Sequence, residues 1–178
     1  MQVLVVYASK YGSTKGIAER IAQTINDAGQ QATAVSVSVA PRLGGYDAYV
    51  IGSAVYMFSW LKEAADFIRR NTPELSTKPV WLFSSGPFGT ETKDAQGRDV
   101  REAAEPKEIA EFKAAIQPRD HRVFFGAFDH TKLNLAHRLV YAMPAAKKLF
   151  TDGDFRDWDE IDAWAKSIAA SLVHAGVG

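Results

Sequence analysis

The sequence predicts a three-layer α/β sandwich, in which a five-stranded parallel sheet lies between two layers of helices. Strand-like and helix-like patterns alternate along all 178 residues. Such alternation requires right-handed crossovers, which produce a parallel sheet covered on both faces. Residues 3–7 form a continuous apolar run, as expected for a strand that is buried on both sides. The length fits one domain, residues 1–178.

The first half of the chain supplies three of the predicted strands. After the strand at residues 3–7, isoleucines recur at helical spacing and predict a first helix that ends at Gly29, a residue type that often terminates helices. Residues 32–39 alternate between apolar and polar side chains, which is typical of a more exposed strand. Residues 48–53 predict the third strand, and residues 60–70 predict a helix with one apolar face.

The second half of the chain predicts two further strands, at residues 79–85 and 122–128. Between them, residues 86–106 are polar and contain several glycines, which indicates a long surface loop. Pro106 suits the first position of a short helix that ends near Ile116.

The last predicted helix runs from near Asp157 to Gly176. Asp157 and Glu160 have the spacing of a capping box at its start. One segment, residues 131–150, is not needed for a plain five-stranded design and forms an insert between the fifth strand and this helix.

The composition excludes several classes of function. Lys and Arg together number 21, as do Asp and Glu, so a net charge of zero predicts no general attraction to nucleic acid. The absence of cysteine excludes disulfides, thiolate metal sites and cysteine nucleophiles. The four histidines lack H-E-x-x-H spacing, so no metal site is predicted. No signal peptide or membrane-spanning run is recognised, and we expect a cytoplasmic location.

Small polar residues follow the first strand and precede the first helix. In a parallel sheet, ligands bind beyond the carboxyl ends of the strands, and the free N–H groups of a helix N-terminus suit a phosphate. Serine and glycine are also common in turns that bind nothing. These residues alone are therefore also compatible with a simple helix cap. The segment comprises Ser9, Lys10, Tyr11, Gly12, Ser13 and Thr14.

The segment S-K-Y-G-S-T resembles the phosphate loop of the flavodoxin family, whose pattern is roughly (S/T)-x-(T/D)-G-x-T. The resemblance covers nearly the whole chain and implies a flavodoxin-like sandwich with strand order 2-1-3-4-5 and FMN as cofactor. It also implies that Ser9, Gly12, Ser13 and Thr14 hold the phosphate of FMN. Tyr11 departs from the pattern, so its backbone N–H is the expected donor.

Two further loops are expected to hold the flavin ring and ribityl chain. An isoalloxazine ring needs flat apolar surfaces and backbone polar groups at its edge. Tyr56 is the first candidate for stacking on the ring, and Phe88 is the second. The residues assigned to these loops are Ser53, Ala54, Val55 and Tyr56 after the third strand, and Ser85, Gly86, Pro87, Phe88 and Gly89 after the fourth.

The insert is basic and apolar and contains no carboxylate. Its position, and the Asp157-Trp158 pair that follows it, resemble the FMN-dependent protoporphyrinogen dehydrogenase branch of this superfamily. That resemblance implies oxidation of protoporphyrinogen IX to protoporphyrin IX in haem biosynthesis, with a quinone as electron acceptor. Lys132, His137 and Arg138 are then the expected partners of the substrate propionates. No catalytic acid or base is predicted.

Three alternatives remain open at this stage. The insert is an ordinary connecting helix, a segment that lies on an anionic membrane surface, or a segment that binds an amphipathic anion. The protein is either an oxidoreductase or a flavodoxin-like electron carrier without a substrate of its own, although the net charge of zero differs from the acidic character of such carriers. A quinone reductase that uses NAD(P)H is less favoured, since no second nucleotide site is recognised.

Overall fold

The central sheet has the predicted strand order. The computed structural model describes residues 1–40, 42–143 and 152–175. Five parallel strands lie in the order β2-β1-β3-β5-β6, which is the predicted order 2-1-3-4-5, and a short strand, β4, pairs antiparallel with β3. The strands are β1 (Gln2–Ala8), β2 (Gln31–Ser36), β3 (Ala48–Tyr56), β4 (Ser59–Trp60), β5 (Val80–Ser85) and β6 (Asp120–Phe124).

Helices cover both faces of the sheet. Helices α1 and α6 share one apolar core with the sheet, and α2 and α4 share the other. The helices are α1 (Ser13–Asp27), α2 (Lys62–Leu75), α3 (Val100–Ala103), α4 (Glu108–Ile116), α5 (Leu135–Tyr141) and α6 (Trp158–Ala175). Single 3-10 turns occur at Val37–Val39 and His130–Lys132.

Strand β1 shows how the sequence pattern builds the two cores. Val3 and Val5 belong to the core under α1 and α6, whereas Leu4 and Val6 belong to the core under α2 and α4. Successive side chains of a strand point to opposite faces, so a strand covered on both sides must be apolar throughout. The continuous apolar run of the sequence therefore places β1 inside the sheet, between β2 and β3 and covered by helices on both faces.

The end of the first helix and the start of the last agree with the sequence, whereas the predicted stop at Gly176 lies outside the described residues. Gly29 has a φ of 87° and its N–H donates to the carbonyl oxygen of Asn26 at 2.9 Å, so it closes α1 as predicted. At the start of α6 the Asp157 carboxylate accepts the N–H of Glu160 at 2.9 Å. The capping box is only half formed, because the Glu160 carboxylate binds the Arg101 guanidinium at 2.9 and 2.8 Å.

The third strand is longer than the predicted residues 48–53. Strand β3 continues to Tyr56 because its last two residues pair with β4 in a tight hairpin. The predicted helix at residues 60–70 accordingly starts later, at Lys62, and ends at Leu75. The sequence places residues 54–59 in a loop, and this part of the prediction was wrong.

The predicted fifth strand, residues 122–128, is two separate strands. Strand β6 ends at Phe124, and β7 (Ala127–Phe128) pairs antiparallel with β8 (Gly153–Asp154), forming a two-stranded ribbon outside the main sheet. The break occurs because the backbone of Gly126 forms its hydrogen bonds outside the main sheet. Its N–H donates to the Pro87 carbonyl at 2.9 Å, and its carbonyl accepts the Phe155 N–H at 3.1 Å.

The polar segment at residues 86–106 contains a helical turn that the sequence did not indicate. The Asp99 carboxylate accepts the N–H of Arg101 at 2.7 Å and thereby caps α3. Helix α4 begins at Glu108, two residues after the predicted start at Pro106.

A buried polar network joins the β3–β4 hairpin to the edge of the sheet. The Trp60 Nε1–H donates to Ser84 Oγ at 2.8 Å, and Ser84 Oγ lies 2.9 Å from His121 Nε2. His121 Nδ1 lies 3.3 Å from a Glu105 oxygen. Burial lowers the pKa of the His121 imidazole below its usual 6.5, and the opposing attraction of Glu105 is the smaller effect. The network is complete when His121 is neutral, since Nε2 can then accept the Ser84 hydroxyl hydrogen.

We expect the protein to lose stability as the pH falls below about 6.5. The unfolded chain then binds a proton on His121 more readily than the folded protein does, and the loss stops below the folded pKa of His121. The size of this loss is set by how far folding lowers the pKa of His121. Urea unfolding between pH 7 and pH 5 measures it. His121→Gln should flatten this pH dependence, and an unchanged slope in that variant would show that another group is responsible.

Candidate functional site

The loop after β1 leads directly into a helix N-terminus. Gly12 precedes α1 with a φ of 92°, a left-handed conformation that strains residues with a Cβ. The Ser9 hydroxyl accepts the Gly12 N–H at 3.1 Å and so fixes the turn. The Gly16 N–H donates to the Gly12 carbonyl at 3.0 Å, which begins the helical hydrogen bonding. The N–H groups of residues 13–15 therefore have no intrahelical acceptor and are available to an anion.

Two hydroxyls in the same turn can donate hydrogen bonds. Thr14 is 1% exposed, and its hydroxyl oxygen has no hydrogen-bond partner among the described residues. An unpaired buried hydroxyl is costly, and a phosphate oxygen near this turn would satisfy it. The Ser13 hydroxyl accepts the Ala127 N–H at 2.8 Å, so its own hydrogen remains free to be donated. These groups fit a phosphate.

The second predicted loop is the tip of the β3–β4 hairpin. Its two central residues, Met57 and Phe58, have φ values of 52° and 57°, as in the type I′ turns that connect two-residue hairpins. Met57 is 88% exposed and Phe58 is 60% exposed. Tyr56 is partly exposed beside them, and burial raises its pKa to about 12 with a smaller contribution from Tyr11. Tyr56 is therefore a neutral phenol with an accessible ring.

Two residues predicted for this loop lie inside the sheet. Ser53 and Ala54 pair with β5, and Ser53 also pairs with β1. The Ser53 hydroxyl is fully buried, donates to the Ala54 carbonyl at 2.8 Å and accepts the Leu61 N–H at 3.0 Å. The structure therefore uses Ser53 to support the hairpin and does not bring its side chain to the surface.

The third loop follows β5 and carries Phe88. Ser85, the last residue of the strand, is 4% exposed. The Gly86 N–H donates to the Phe124 carbonyl at 3.3 Å, which fixes the start of the loop. Phe88 is 39% exposed, and Gly89 has a φ of 107°. Backbone N–H and carbonyl groups and one accessible aromatic ring are thus presented together.

Short distances show that the three loops meet at one edge of the sheet. A Cβ added to Gly86 would lie 3.0 Å from the Cβ of Val55, so the second and third loops touch. A Cβ added to Gly126 would lie 3.0 Å from the Phe88 ring and 3.4 Å from Ser13 Oγ, so the first and third loops share this neighbour. The structure therefore brings together the residues that the sequence assigned to three separate loops.

Arg156 is a residue near this site that the sequence analysis missed. Its guanidinium lies 4.3 Å from the centre of the Trp158 ring and is bonded to the Asp154 carboxylate through Nε at 2.7 Å. It also donates to the Ser13 carbonyl at 3.4 Å. A Cβ on Gly16 would lie 2.5 Å from this guanidinium, so the glycine leaves room for it. Ser13 and Arg156 are 143 positions apart in the chain, which explains why no local pattern indicates the contact.

The predicted substrate residues lie on the described part of the insert. Lys132 is exposed, and its Nζ lies 3.4 Å from an Asp129 oxygen. Arg138 is exposed on α5. His137 is in the same helix, but its side chain lies outside the described residues, as do residues 144–151. Leu135 and Leu139, one turn apart on α5, are 77% and 67% exposed. Among the described helices, none combines the length and apolar character needed to cross a membrane.

A row of aromatic rings connects the insert to the third loop. The Phe88 and Phe128 ring centres are 5.7 Å apart, and those of Phe128 and Tyr141 are 5.5 Å apart. The Tyr141 ring in turn stacks on His130 at 5.3 Å. The His130 Nδ1 lies 2.6 Å from an Asp152 oxygen, which joins the two ends of the insert. The insert is therefore connected to the loop expected to hold the flavin ring through one intervening ring, that of Phe128.

Comparisons with known proteins agree with the fold. A model of the flavodoxin domain family matches residues 4–152, well over half of the chain. A flavodoxin from the domain Archaea is 17% identical with a TM-score of 0.61, and the match covers 98% of this chain and 100% of that one. A point mutant of flavodoxin from Pseudomonas aeruginosa is 14% identical with a TM-score of 0.60, covering 97% and 99%. Rubredoxin oxygen:oxidoreductase from Desulfovibrio gigas is 15% identical with a TM-score of 0.60, covering 97% of this chain and 36% of that protein.

Proposed function

This chain belongs to the flavodoxin domain family, and we propose that it is an FMN-dependent oxidoreductase. The observation that carries the proposal is the turn at the start of α1. Its first N–H groups have no intrahelical acceptor, and the buried hydroxyl of Thr14 has no partner among the described residues. An anionic group of a nucleotide is the ligand that this donor set suits. FMN, when bound, supplies the capacity to accept and pass on electrons.

The residues of the chain have distinct roles in this proposal. Ser9, Ser13 and Thr14 donate hydroxyl hydrogen bonds to the phosphate, together with the backbone N–H groups of residues 10, 11, 13 and 14. Tyr56 and Phe88 flank the ring from the second and third loops. Backbone groups of residues 88 and 89 serve the polar edge of the ring. The backbone of Ser53, Ala54 and Ser85 is engaged in the sheet, and the Gly86 N–H and the Pro87 carbonyl already form hydrogen bonds with Phe124 and Gly126.

For the substrate, we propose protoporphyrinogen IX, with a quinone as electron acceptor. The support is the position of the insert. A row of aromatic rings runs from Phe88 through Phe128 to Tyr141 in the insert, and this row offers contact to a flat apolar molecule beside the flavin loops. Lys132 and Arg138 supply exposed positive charge for the two propionates, and His137 lies in the same segment. To bind a propionate, Lys132 must give up its ion pair with Asp129.

An anaerobic assay with protoporphyrinogen IX and a quinone tests this substrate. Porphyrin fluorescence should rise faster with the FMN-loaded protein than without it. Deleting residues 131–150 should abolish turnover while FMN remains bound. Fluorescence that rises only at the uncatalysed rate with the intact protein would overturn the substrate proposal but not the cofactor proposal.

Arg138→Gln is expected to raise the KM for protoporphyrinogen by about three- to tenfold, because one charge-assisted contact with a propionate is lost. FMN affinity should not change. Arg70→Gln is the matched control, since Arg70 is an exposed arginine on α2, outside the insert. Equal KM values in the two variants would show that Arg138 does not contact the substrate.

The second candidate function is electron transfer between proteins without a substrate of its own. It is favoured by the hairpin tip, where Met57 and Phe58 expose apolar side chains beside the candidate flavin site. A docking partner would cover them. Redox titration with a reductase partner distinguishes this function, because reduction by that partner should then depend on the hairpin tip and not on residues 131–150.

We also propose that the insert associates peripherally with anionic membranes. The support is the exposed pair Leu135 and Leu139 together with exposed Arg138 on the same helix. Co-sedimentation with anionic vesicles across a salt series tests it. Binding should weaken as salt rises, and equal recovery with neutral vesicles would contradict an electrostatic contact.

A further inference from the structure

The side chain of Lys10 bridges the first and second loops. Its Nζ lies 5.2 Å from the centre of the Tyr56 ring and 5.8 Å from the centre of the Tyr11 ring. Both distances are within the range in which an ammonium group is attracted to an aromatic face. The contact holds a positive charge beside Tyr56, the ring that the proposed function places against the flavin.

This charge is not neutralised by a neighbouring carboxylate. In the part of the chain that the structure describes, no carboxylate oxygen forms an ion pair with Lys10, whereas Lys15 on the adjoining helix pairs with Glu19 at 3.7 Å. Lys10 and Lys15 are both exposed. The two lysines therefore differ in their pairing and in their distance from Tyr56.

We propose that Lys10 raises the reduction potential of FMN bound at the three loops. The inference rests on the proposed FMN site. It adds a role for the side chain of Lys10, a residue of which only the backbone was assigned to phosphate binding. Electrons added to the ring make it more negative, and a nearby unpaired ammonium group stabilises that charge. The effect favours electron flow from a substrate into this protein.

Potentiometric titration of the FMN-loaded protein with dithionite tests the inference. In Lys10→Gln the preference for reduced over oxidised FMN should fall by about three- to tenfold relative to the natural protein. A tenfold change corresponds to about 30 mV for a two-electron couple. Lys10→Arg should retain the potential of the natural protein, because it keeps the charge. Lys15→Gln is the matched control and should leave the potential unchanged.

The possible failures are distinguishable. If Lys10→Gln binds FMN and has the potential of the natural protein, or if Lys15→Gln lowers the potential equally, the role of Lys10 is overturned while the FMN site stands. If the natural protein binds no FMN, the proposed function fails and this inference fails with it.

Discussion

Valine in place of Thr14 is expected to weaken FMN binding by about 10- to 100-fold, because a hydrogen bond to a charged phosphate is lost. The same change should stabilise the ligand-free protein by about 1 kcal/mol. The Thr14 hydroxyl is buried without a partner among the described residues, and valine has nearly the same shape without the polar group. Titration with FMN and urea unfolding of the ligand-free protein measure the two effects, which have opposite signs.

Thr24 on the same helix provides the control for this experiment. Thr24 is also buried, but its hydroxyl donates to an Asp162 oxygen at 2.8 Å. Thr24→Val should therefore destabilise the protein by about 1 kcal/mol and leave FMN affinity unchanged. If Thr14→Val behaves as Thr24→Val does, the Thr14 hydroxyl has no role in binding FMN.

The second large effect is expected at Gly52, where alanine should destabilise the fold by about 3 kcal/mol. Gly52 lies in the middle of β3, and a Cβ there would overlap the ring of Phe83. That ring cannot move aside easily, because it is fully buried and packs against Phe124 and Trp164 with centre distances of 6.2 and 6.3 Å. Urea unfolding measures the loss.

Two further variants separate overpacking from other causes. Gly44→Ala is the control, since a Cβ at Gly44 meets nothing within 4 Å. Phe83→Leu should partly rescue Gly52→Ala because it removes the overlapping ring, although by itself it leaves a cavity and costs stability. A free energy of unfolding for Gly52→Ala within about 0.5 kcal/mol of the natural protein would contradict this account.

The parallel sheet could be predicted because burial determines its sequence. A strand covered on both faces must be apolar at every position, and β1 shows this directly. The hairpin at β4 could not be predicted, because its turn residues, Met57 and Phe58, are not the Asn or Gly that usually mark such turns. The β7–β8 ribbon was missed because its pairing joins Ala127 to Asp154, across the insert.

The candidate site also has one part that the sequence predicts and other parts that only the folded chain brings together. The phosphate turn is contiguous in the chain, so residues 9–14 indicate it locally. Arg156 and Gly126 reach the same region only through the folded ribbon, and no pattern near either residue predicts it. The inward position of Ser53 follows from the extended β3 and its hairpin, so it too became visible only in the structure.

Parallel titration of the ligand-free protein with FMN and with riboflavin tests the central claim most directly. The two ligands differ only in the phosphate that the turn at residues 9–14 is expected to hold. Flavin fluorescence quenching should show FMN binding at micromolar concentration or tighter, with riboflavin bound at least about tenfold more weakly. No binding of FMN, or equal affinity for both ligands, would contradict the assignment of this turn as the phosphate site.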